Sequence, residues 1–286
     1  MVLDSGLLVD GPGALLEGRV AVITGGGGGI GAAGGRLFAR HGAHVVIVDI
    51  DESLAEAAVA SIRAEGGSAE AIVTDVRVAD QVTALRDEVL GAHGRVDVLV
   101  NNVGHWVRFV DEFVNSDPAL WDELYQVNFL HVLSVTHAFL PSMIEEGSGS
   151  IINVSSVEGL RGYPAEPVYG ALKAAVVQFT KCLAVQIGNY GVRVNGIGPD
   201  VTESIQVNYT KWLPPEQQAL WPNWVPVGRM GVGDDQARVL LFLASDLSAF
   251  VTGHTIPTDG GTGAAGGWFK SDSRPGRVWT NRPIAP

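Results

Sequence analysis

Tyr169 and Lys173 are four positions apart in the run Tyr169-Gly170-Ala171-Leu172-Lys173, with Ser156 upstream of them. Residues at i and i+4 share one face of a helix, so the phenol and the ammonium would point the same way. A free phenol has a pKa near ~10 and is a poor proton donor or acceptor at neutral pH. A neighbouring cation favours the phenolate. Lowering such a pKa from ~10 to ~7 takes roughly 4 kcal/mol of differential interaction. A tyrosine tuned in that way can exchange a proton with an alcohol or a ketone, which points to redox chemistry at a carbon–oxygen bond.

The segments that must position these groups alternate between strand-like and helix-like patterns from Arg19 onward. Strands are expected at Val20 to Ile23, Val45 to Val48, Ala71 to Val73, Val96 to Val100, Ser150 to Val154 and Val192 to Ile197. Helices are expected at Gly31 to Arg40, closed by Gly42, and at Ser53 to Glu65 and Gln81 to Ala92. Pro118 to Glu145 reads as one long helix or two adjoining ones, and Pro167 to Ile187 as a long helix carrying the tyrosine and lysine. The strands are apolar nearly throughout, as expected where helices cover both faces of a parallel sheet. Repeated strand–helix units predict an α/β fold, a doubly wound, mostly parallel sheet with helices on both faces. No Pro/Ser/Gly linker divides the chain, so residues 1–286 are expected to form one Rossmann-like domain. Less regular structure is expected near 200–230 and in a C-terminal tail, 263–286.

Composition excludes several classes. A net charge of -12 repels phosphate backbones and argues against a nucleic-acid partner. The single cysteine, Cys182, rules out an intrachain disulfide, fits a reducing compartment and reads as a core residue within an apolar helix pattern. Met1 to Glu17 has neither a basic start nor a long apolar run, so no signal peptide is expected. No stretch of about 18 uninterrupted apolar residues occurs, so no membrane span is expected and a cytoplasmic location is. The histidines are scattered and show no metal-ligand spacing.

A cofactor site is suggested by the turn Thr24-Gly25-Gly26-Gly27-Gly28-Gly29-Ile30-Gly31, between the first strand and the first helix. Glycines let the backbone approach a pyrophosphate, and the helix N-terminus offers unpaired N–H groups. Five consecutive glycines match several registers of such a motif, so its weight comes from its placement. Asp49 ends the second strand, where a carboxylate accepts hydrogen bonds from the adenosine ribose hydroxyls and repels a 2′-phosphate. The next residue, Ile50, brings no cation to receive that phosphate, so NAD is expected over NADP. Asp49 could instead cap the following helix, a task also open to Asp51.

These residues, taken in order, resemble the short-chain dehydrogenase/reductase family of single-domain type. The resemblance runs from about Gly18 to Gly261 through the glycine turn, Asp75-Val76, Asn101-Asn102-Val103-Gly104, Asn128, Ser156, Tyr169-x-x-x-Lys173, Asn195 to Pro199 and Asp259-Gly260-Gly261. It implies that Tyr169 is the general acid-base and that Lys173 lowers its pKa and holds the nicotinamide ribose. Ser156 would polarise the substrate oxygen, and Asn128 would anchor a water in a proton relay. Thr24, Gly25, Gly29, Ile30, Gly31, Asp49, Ile50, Asp75, Val76, Asn102, Pro199 and Thr202 would form the rest of the cofactor site, Asp75 and Val76 near adenine and Pro199 to Thr202 near the nicotinamide. Two positions depart from the pattern: Val103 replaces an alanine and Asp200 a glycine.

The 200–230 segment holds Tyr209, Trp212, Trp221 and Trp224, and Trp106 and Tyr163 could face the same cavity. Such aromatics suit a bulky apolar alcohol or ketone (a terpenoid, steroid or aryl carbinol), or they pack the lid or a subunit interface. Glu158, Glu166 and His105 could recognise a polar substituent or simply be solvated. The tail carries Trp268, Phe269, Trp279, Arg274, Arg277 and Arg282 and could cover its own subunit or a neighbour. The long helices supply the surface through which the family forms tetramers, so a homo-oligomer is expected. A nonredox dehydratase or epimerase on the same scaffold, and a silent NAD-binding regulator, are the competing readings.

Overall fold

The computed structural model of the chain describes residues 15–105, 112–163, 166–267, 269–270 and 279–280. The expectations placed on Trp106, Trp268, Arg274, Arg277 and Arg282 lie outside them. Continuous apolar runs give β1 (Val20–Thr24), β2 (His44–Asp49), β4 (Val98–Asn101), β5 (Gly149–Val154) and β6 (Val192–Pro199). With β3 (Ser68–Val73) and β7 (Thr255–Thr258) they form one sheet of order β3-β2-β1-β4-β5-β6-β7. Every neighbouring pair in it is parallel.

Alternation along each strand sends side chains to both faces. Ala21 and Ile23 of β1 join a core with Phe38 of α1 (Gly29–Arg40), Ile62 of α2 (Glu52–Ala64) and Leu240 of α10 (Gly233–Ala244). Val20 and Val22 join the opposite core with Leu85 of α3 (Ala79–His93), Phe139 of α5 (His131–Glu146) and Leu183 of α6 (Pro167–Ile187). The chain winds outward from β1 to β3 and then returns across β1 to β4. That reversal opens a crevice beyond the carboxyl ends of β1 and β4.

The structure refines the sequence expectations at particular places. β3 begins at Ser68 because an edge strand tolerates the polar residues Ser68 and Glu70. β4 begins at Val98, because Asp97 is held outside the strand by Arg95 and accepts from the Val20 N–H at 2.9 Å. Pro118–Glu145 is two helices, α4 (Pro118–Tyr125) and α5, joined by a π turn at Gln126–Leu130. The 200–230 segment contains three short helices, α7 (Tyr209–Trp212), α8 (Pro215–Gln218) and α9 (Trp221–Trp224). The tail contributes α11 (Thr262–Ala265) and an antiparallel pair, β8 (Phe269–Lys270) with β9 (Trp279–Thr280). Cys182 is exposed rather than buried, on the outward side of α6 where Gln178 Nε2 donates to its sulfur at 3.4 Å.

Two helical stretches, Pro118–Glu146 and Pro167–Tyr190, are long and apolar enough by length and composition to cross a membrane, although neither is an unbroken apolar run. Their residues Val135, Phe139, Met143, Leu183 and Ile187 are buried against the sheet, the place of core helices in a layered α/β fold.

Buried amides fasten the two long helices. Asn101 Nδ2 donates to Thr136 Oγ1 on α5 at 3.0 Å and to Asn153 Oδ1 on β5 at 2.9 Å. Asn153 Nδ2 in turn donates to Thr180 Oγ1 on α6 at 2.9 Å. His131, at the start of α5, is fully buried, and burial together with the Lys173 ammonium pushes its pKa down to about 3. The folded chain therefore keeps His131 neutral where the unfolded chain, titrating near 6.5, binds a proton. Stability must fall as the pH drops below that value, because the unfolded state takes up more protons. We expect urea unfolding to show wild type losing up to about 2 kcal/mol between pH ~6.5 and ~5 that His131→Leu retains. Equal losses in the two proteins would contradict it.

Candidate active site

The crevice is a cleft of ≈ 840 Å³. Its cofactor end is built on the β1–α1 turn. Gly25 has φ +62°, a left-handed conformation that glycine adopts without strain. A Cβ on Gly31 would lie 2.3 Å from the Gly25 carbonyl oxygen, so the turn closes only with glycine there. Gly28 precedes α1 and brings no side-chain cap, which leaves the helix's first N–H groups to a ligand, and Gly28, Gly29 and Ile30 line the cleft. Thr24 Oγ1 accepts from the Asn102 N–H at 3.0 Å, and Asn102 Nδ2 donates to the Thr24 and Gly25 carbonyls. These bonds lock β1 to β4 at the switch point.

Asp49 lies in the cleft wall with Ile50, Asp75 and Val76. Its Oδ2 accepts from the Gly27 N–H at 2.9 Å, so the carboxylate is fixed against the glycine turn. Helix α2 is capped by Asp51, whose Oδ1 accepts from the Leu54 N–H at 3.1 Å, and Asp49 is free of that task. Arg77 also lines the cleft, but its guanidinium is committed to Asp75 by bonds of 2.8 and 2.7 Å, which hold that carboxyl below its ordinary pKa.

At the other end of the cleft stand Ser156, Tyr169 and Lys173. α6 starts where Glu166, buried rather than solvated, accepts from the Val168 N–H at 3.0 Å. One turn on, Tyr169 and Lys173 face the same wall, with the ammonium 5.7 Å from the phenol ring centre. Lys173 is 3% exposed, and burial lowers its pKa to about 8. Among the described residues its one hydrogen-bond acceptor is the Val154 carbonyl at 3.2 Å. An ammonium has three donors, so two remain for groups entering the cleft.

The direction of the Tyr169 shift corrects the sequence expectation. Burial pushes the phenol's pKa up, the hydrogen bond with Ser156 offsets part of this, and nearby Tyr163, Glu158 and Asp200 add to the rise. The lysine does not bring the phenol down within these residues, because desolvation opposes charge on both groups.

Asn128 sits inside the π turn and is fully buried. Its Nδ2 donates to the His105 carbonyl at 2.7 Å and to the Leu124 carbonyl at 3.1 Å, and its Oδ1 accepts from the His105 N–H at 3.2 Å. It therefore clamps the backbone beside Gly104, where an added Cβ would meet Lys173 Nζ at 2.9 Å. Asn128, Thr24 and Gly31 stand behind the cleft wall, whereas the remaining expected residues lie in it.

The rim holds an ion network that sequence reading did not assemble. Arg161 Nη2 pairs with Glu158 at 2.9 Å and with Asp200 at 3.0 Å, and Thr262 Oγ1 donates to Asp200 at 2.6 Å. Glu158 is thus paired rather than merely solvated. The departure at Asp200 ties the segment after β6 to the rim. The next residue, Val201, has φ +34°, a strained value for a β-branched side chain. Ser155 was also missed: its hydroxyl donates to the Lys173 carbonyl at 2.8 Å and fixes α6 to the end of β5. Its position beside Ser156 was the signal available. Of the aromatics, Tyr163, Tyr209 and Trp212 line the cleft. Trp221 packs edge-on against Tyr209 at 5.4 Å, and Trp224 is exposed. His105 lines the cleft as well.

The chain is similar to known proteins over most of its length. The family described as enoyl-(acyl carrier protein) reductase matches residues 25–263. A 3-oxoacyl-(acyl-carrier-protein) reductase of Thermotoga maritima is 38% identical over 246 residues, 86% of this chain and 98% of the relative. A 2-(S)-hydroxypropyl-CoM dehydrogenase of Xanthobacter autotrophicus is 36% identical over 86% of this chain and 97% of its own. The crystal structure of a short-chain dehydrogenase/reductase from Burkholderia xenovorans superimposes with a TM-score of 0.81 at 35% identity, covering 88% of this chain and 98% of that one. The chain belongs to the short-chain dehydrogenase/reductase family, an oxidoreductase family built on the Rossmann-like sheet described above.

Proposed function

We propose that the protein is an NAD-dependent alcohol dehydrogenase or ketone reductase that interconverts a secondary alcohol and a ketone. The observation that carries this reading is the convergence of Ser156, Tyr169 and Lys173 on the cleft that also holds Asp49 and the glycine turn. The residues fit a dinucleotide on three counts: an uncapped α1 N-terminus for the pyrophosphate, a fixed carboxylate for the adenosine ribose, and a buried ammonium with two free donors for the second ribose. When bound, the nicotinamide accepts or supplies the hydride.

The protein's own part is proton transfer and orientation. Ser156 and Tyr169 line the same end of the cleft, and the serine hydroxyl favours the ionised phenol, so the two hydroxyls can reach one substrate oxygen together. In reduction Tyr169 donates its proton to that oxygen, and in oxidation it takes one. Ser156 polarises the same oxygen by donating to it. Lys173 orients the ribose, and Asn128 holds the 105 backbone that flanks the ammonium. Tyr163, Tyr209 and Trp212 provide the apolar wall that favours a bulky, largely apolar substrate. An intact proton-transfer group argues for redox chemistry over a silent regulator or a nonredox isomerase.

The preference for NAD rests on Asp49, whose charge opposes a 2′-phosphate, and on Arg77, whose guanidinium is held by Asp75. The long helices also leave apolar side chains in water, Val185 of α6 at 88% exposure among them. They are the surface we assign to a cytoplasmic homotetramer, a species that light scattering separates from a monomer.

Tyr169→Phe should lower kcat by about 10²–10⁴-fold with a panel of bulky secondary alcohols, while its affinity for NAD, read by fluorescence titration, stays within about two-fold. Undiminished turnover would exclude the phenol as the proton-transfer group. Asp49→Asn keeps an acceptor for the Gly27 N–H and removes the charge. The ratio of kcat/KM for NAD over NADP should fall at least about ten-fold, since one lost charge repulsion exceeds roughly 1.4 kcal/mol in a partly buried site. An unchanged ratio would show that another group sets the preference.

A further inference from the structure

The sheet also gathers ligating side chains at its other end. Strand β2 runs from His44 to Asp49, so its first residue lies about 17 Å from the cofactor cleft at ~3.3 Å per residue. His44 pairs in register with Ser68 of β3, and Glu70 is two residues further along β3. With a period of two, His44, Ser68 and Glu70 share one face, the face that carries Val46, Val48 and Ile72 and is covered by α3. α3 returns antiparallel to the strands, so its last residue, His93, arrives beside the strand starts.

The result is a compact set of three ligating groups. The nitrogens of His44 and His93 and a Glu70 oxygen lie within 4.8 Å of one another. His93 Nε2 is 2.6 Å and His44 Nε2 3.6 Å from Glu70 Oε1. The histidine rings stand 4.5 Å apart, centre to centre, tilted by 40°.

Two details distinguish this set from an ordinary surface ion pair. First, His44 Nδ1 is 2.7 Å from Ser68 Oγ. A metal-binding histidine characteristically engages its second nitrogen in this way, which fixes the ring and turns the other nitrogen inward. Second, His44 Nε2 is buried and has no hydrogen-bond partner, since Glu70 stands beyond hydrogen-bond reach. A buried ring nitrogen aimed at a carboxylate and a second imidazole is short of one partner.

We propose that His44, Glu70 and His93 bind a divalent zinc ion, with water as the fourth ligand. Two imidazoles and one carboxylate are a recognised zinc donor set, and zinc bonds of ~2.0–2.1 Å place tetrahedral ligands about 3.3 Å apart. The His44–Glu70 separation is already close to that, and the His93–Glu70 contact opens by roughly 0.7 Å when a metal replaces the hydrogen bond. The three side chains are between 19% and 36% exposed, which leaves a path for the ion and room for the water. Such an ion would join β2, β3 and the end of α3, remote from the catalytic groups, so its effect is on stability rather than on turnover.

The test is calorimetric titration of the untagged, chelator-treated full chain with zinc chloride, repeated with cobalt(II) to read coordination from its visible spectrum. One saturable site per chain, a tetrahedral cobalt spectrum and a zinc-dependent rise in Tm are expected. His44→Ala and His93→Ala should abolish all three, and Glu70→Gln, which preserves side-chain shape, should weaken binding. Ser68→Ala, which leaves every ligand in place, should weaken it by roughly 10–100-fold. His137→Ala and Cys182→Ser, at exposed ligands outside the cluster, should bind as wild type does. Absence of a saturable site, or wild-type affinity in His44→Ala, would mean that the cluster is a structural ion pair only and would overturn the proposal.

Discussion

The catalytic half of this protein is organised around a buried ammonium. Lys173 is almost wholly removed from water, and the Val154 carbonyl is its one acceptor among the described residues. A cation in that position is tolerated only if the surrounding backbone is held firmly and the remaining donors find partners. The first condition is met by bonds that converge on α6. Glu166 caps its start, Ser155 grips the Lys173 carbonyl, and Asn153 reaches Thr180 two turns further on. On the proposed reading the second is met in the cleft, where the diol of a bound ribose would take the two donors that the described residues leave open. The same burial acts on the neighbouring phenol, so lysine and tyrosine are both biased toward their neutral forms.

The two ends of the cleft are coupled by the way each strand finishes. β1 ends in the glycine turn, β2 in Asp49, β4 in the amides Asn101 and Asn102, and β5 in the serines Ser155 and Ser156. β6 ends at Pro199, after which Asp200 is tied to Arg161 and Thr262 and the backbone is strained at Val201. A strained residue survives where its surroundings over-determine it, and here the ion network does so. The fold thus brings five strand ends to one cleft and stiffens each with its own polar contact.

Much of this was legible in the sequence because it follows from local rules. β1, β2, β5 and β6 are unbroken apolar runs, since both faces are buried, and Asp51 caps α2 in the manner its position implies. What was not legible depends on long-range pairing. β3 conceals its first half because an edge strand admits polar residues. α10 and β7 went unassigned, though Ala237, Leu240, Leu241 and Ala244 carry a helical spacing. Arg161 and Asp200 are too far apart in sequence to be matched without the fold, as are His44, Glu70 and His93. Cys182 follows the apolar pattern of α6 yet lies on its outward side, which carries Ala171, Ala174 and Val185 as well as Gln178 and Lys181, so apolar spacing alone does not mark the buried face. The sign of the Tyr169 shift was misjudged for a related reason: helical spacing reveals which groups are neighbours and not how far water is excluded from them.

The ionisation of one phenol, that of Tyr169, is the most direct readout of how lysine, cleft and cofactor work together. With tyrosine labelled by carbon-13 at the ζ position and the signal assigned through Tyr169→Phe, NMR can follow it against pH. In the free protein Tyr169 should remain protonated past the ordinary phenol range of ~10, and oxidised dinucleotide, by completing the donors of Lys173 and adding its own positive ring, should draw the transition down toward neutrality. A phenol that titrates at the same pH with and without the dinucleotide would contradict the proposal that cleft, lysine and cofactor together make it a working acid-base.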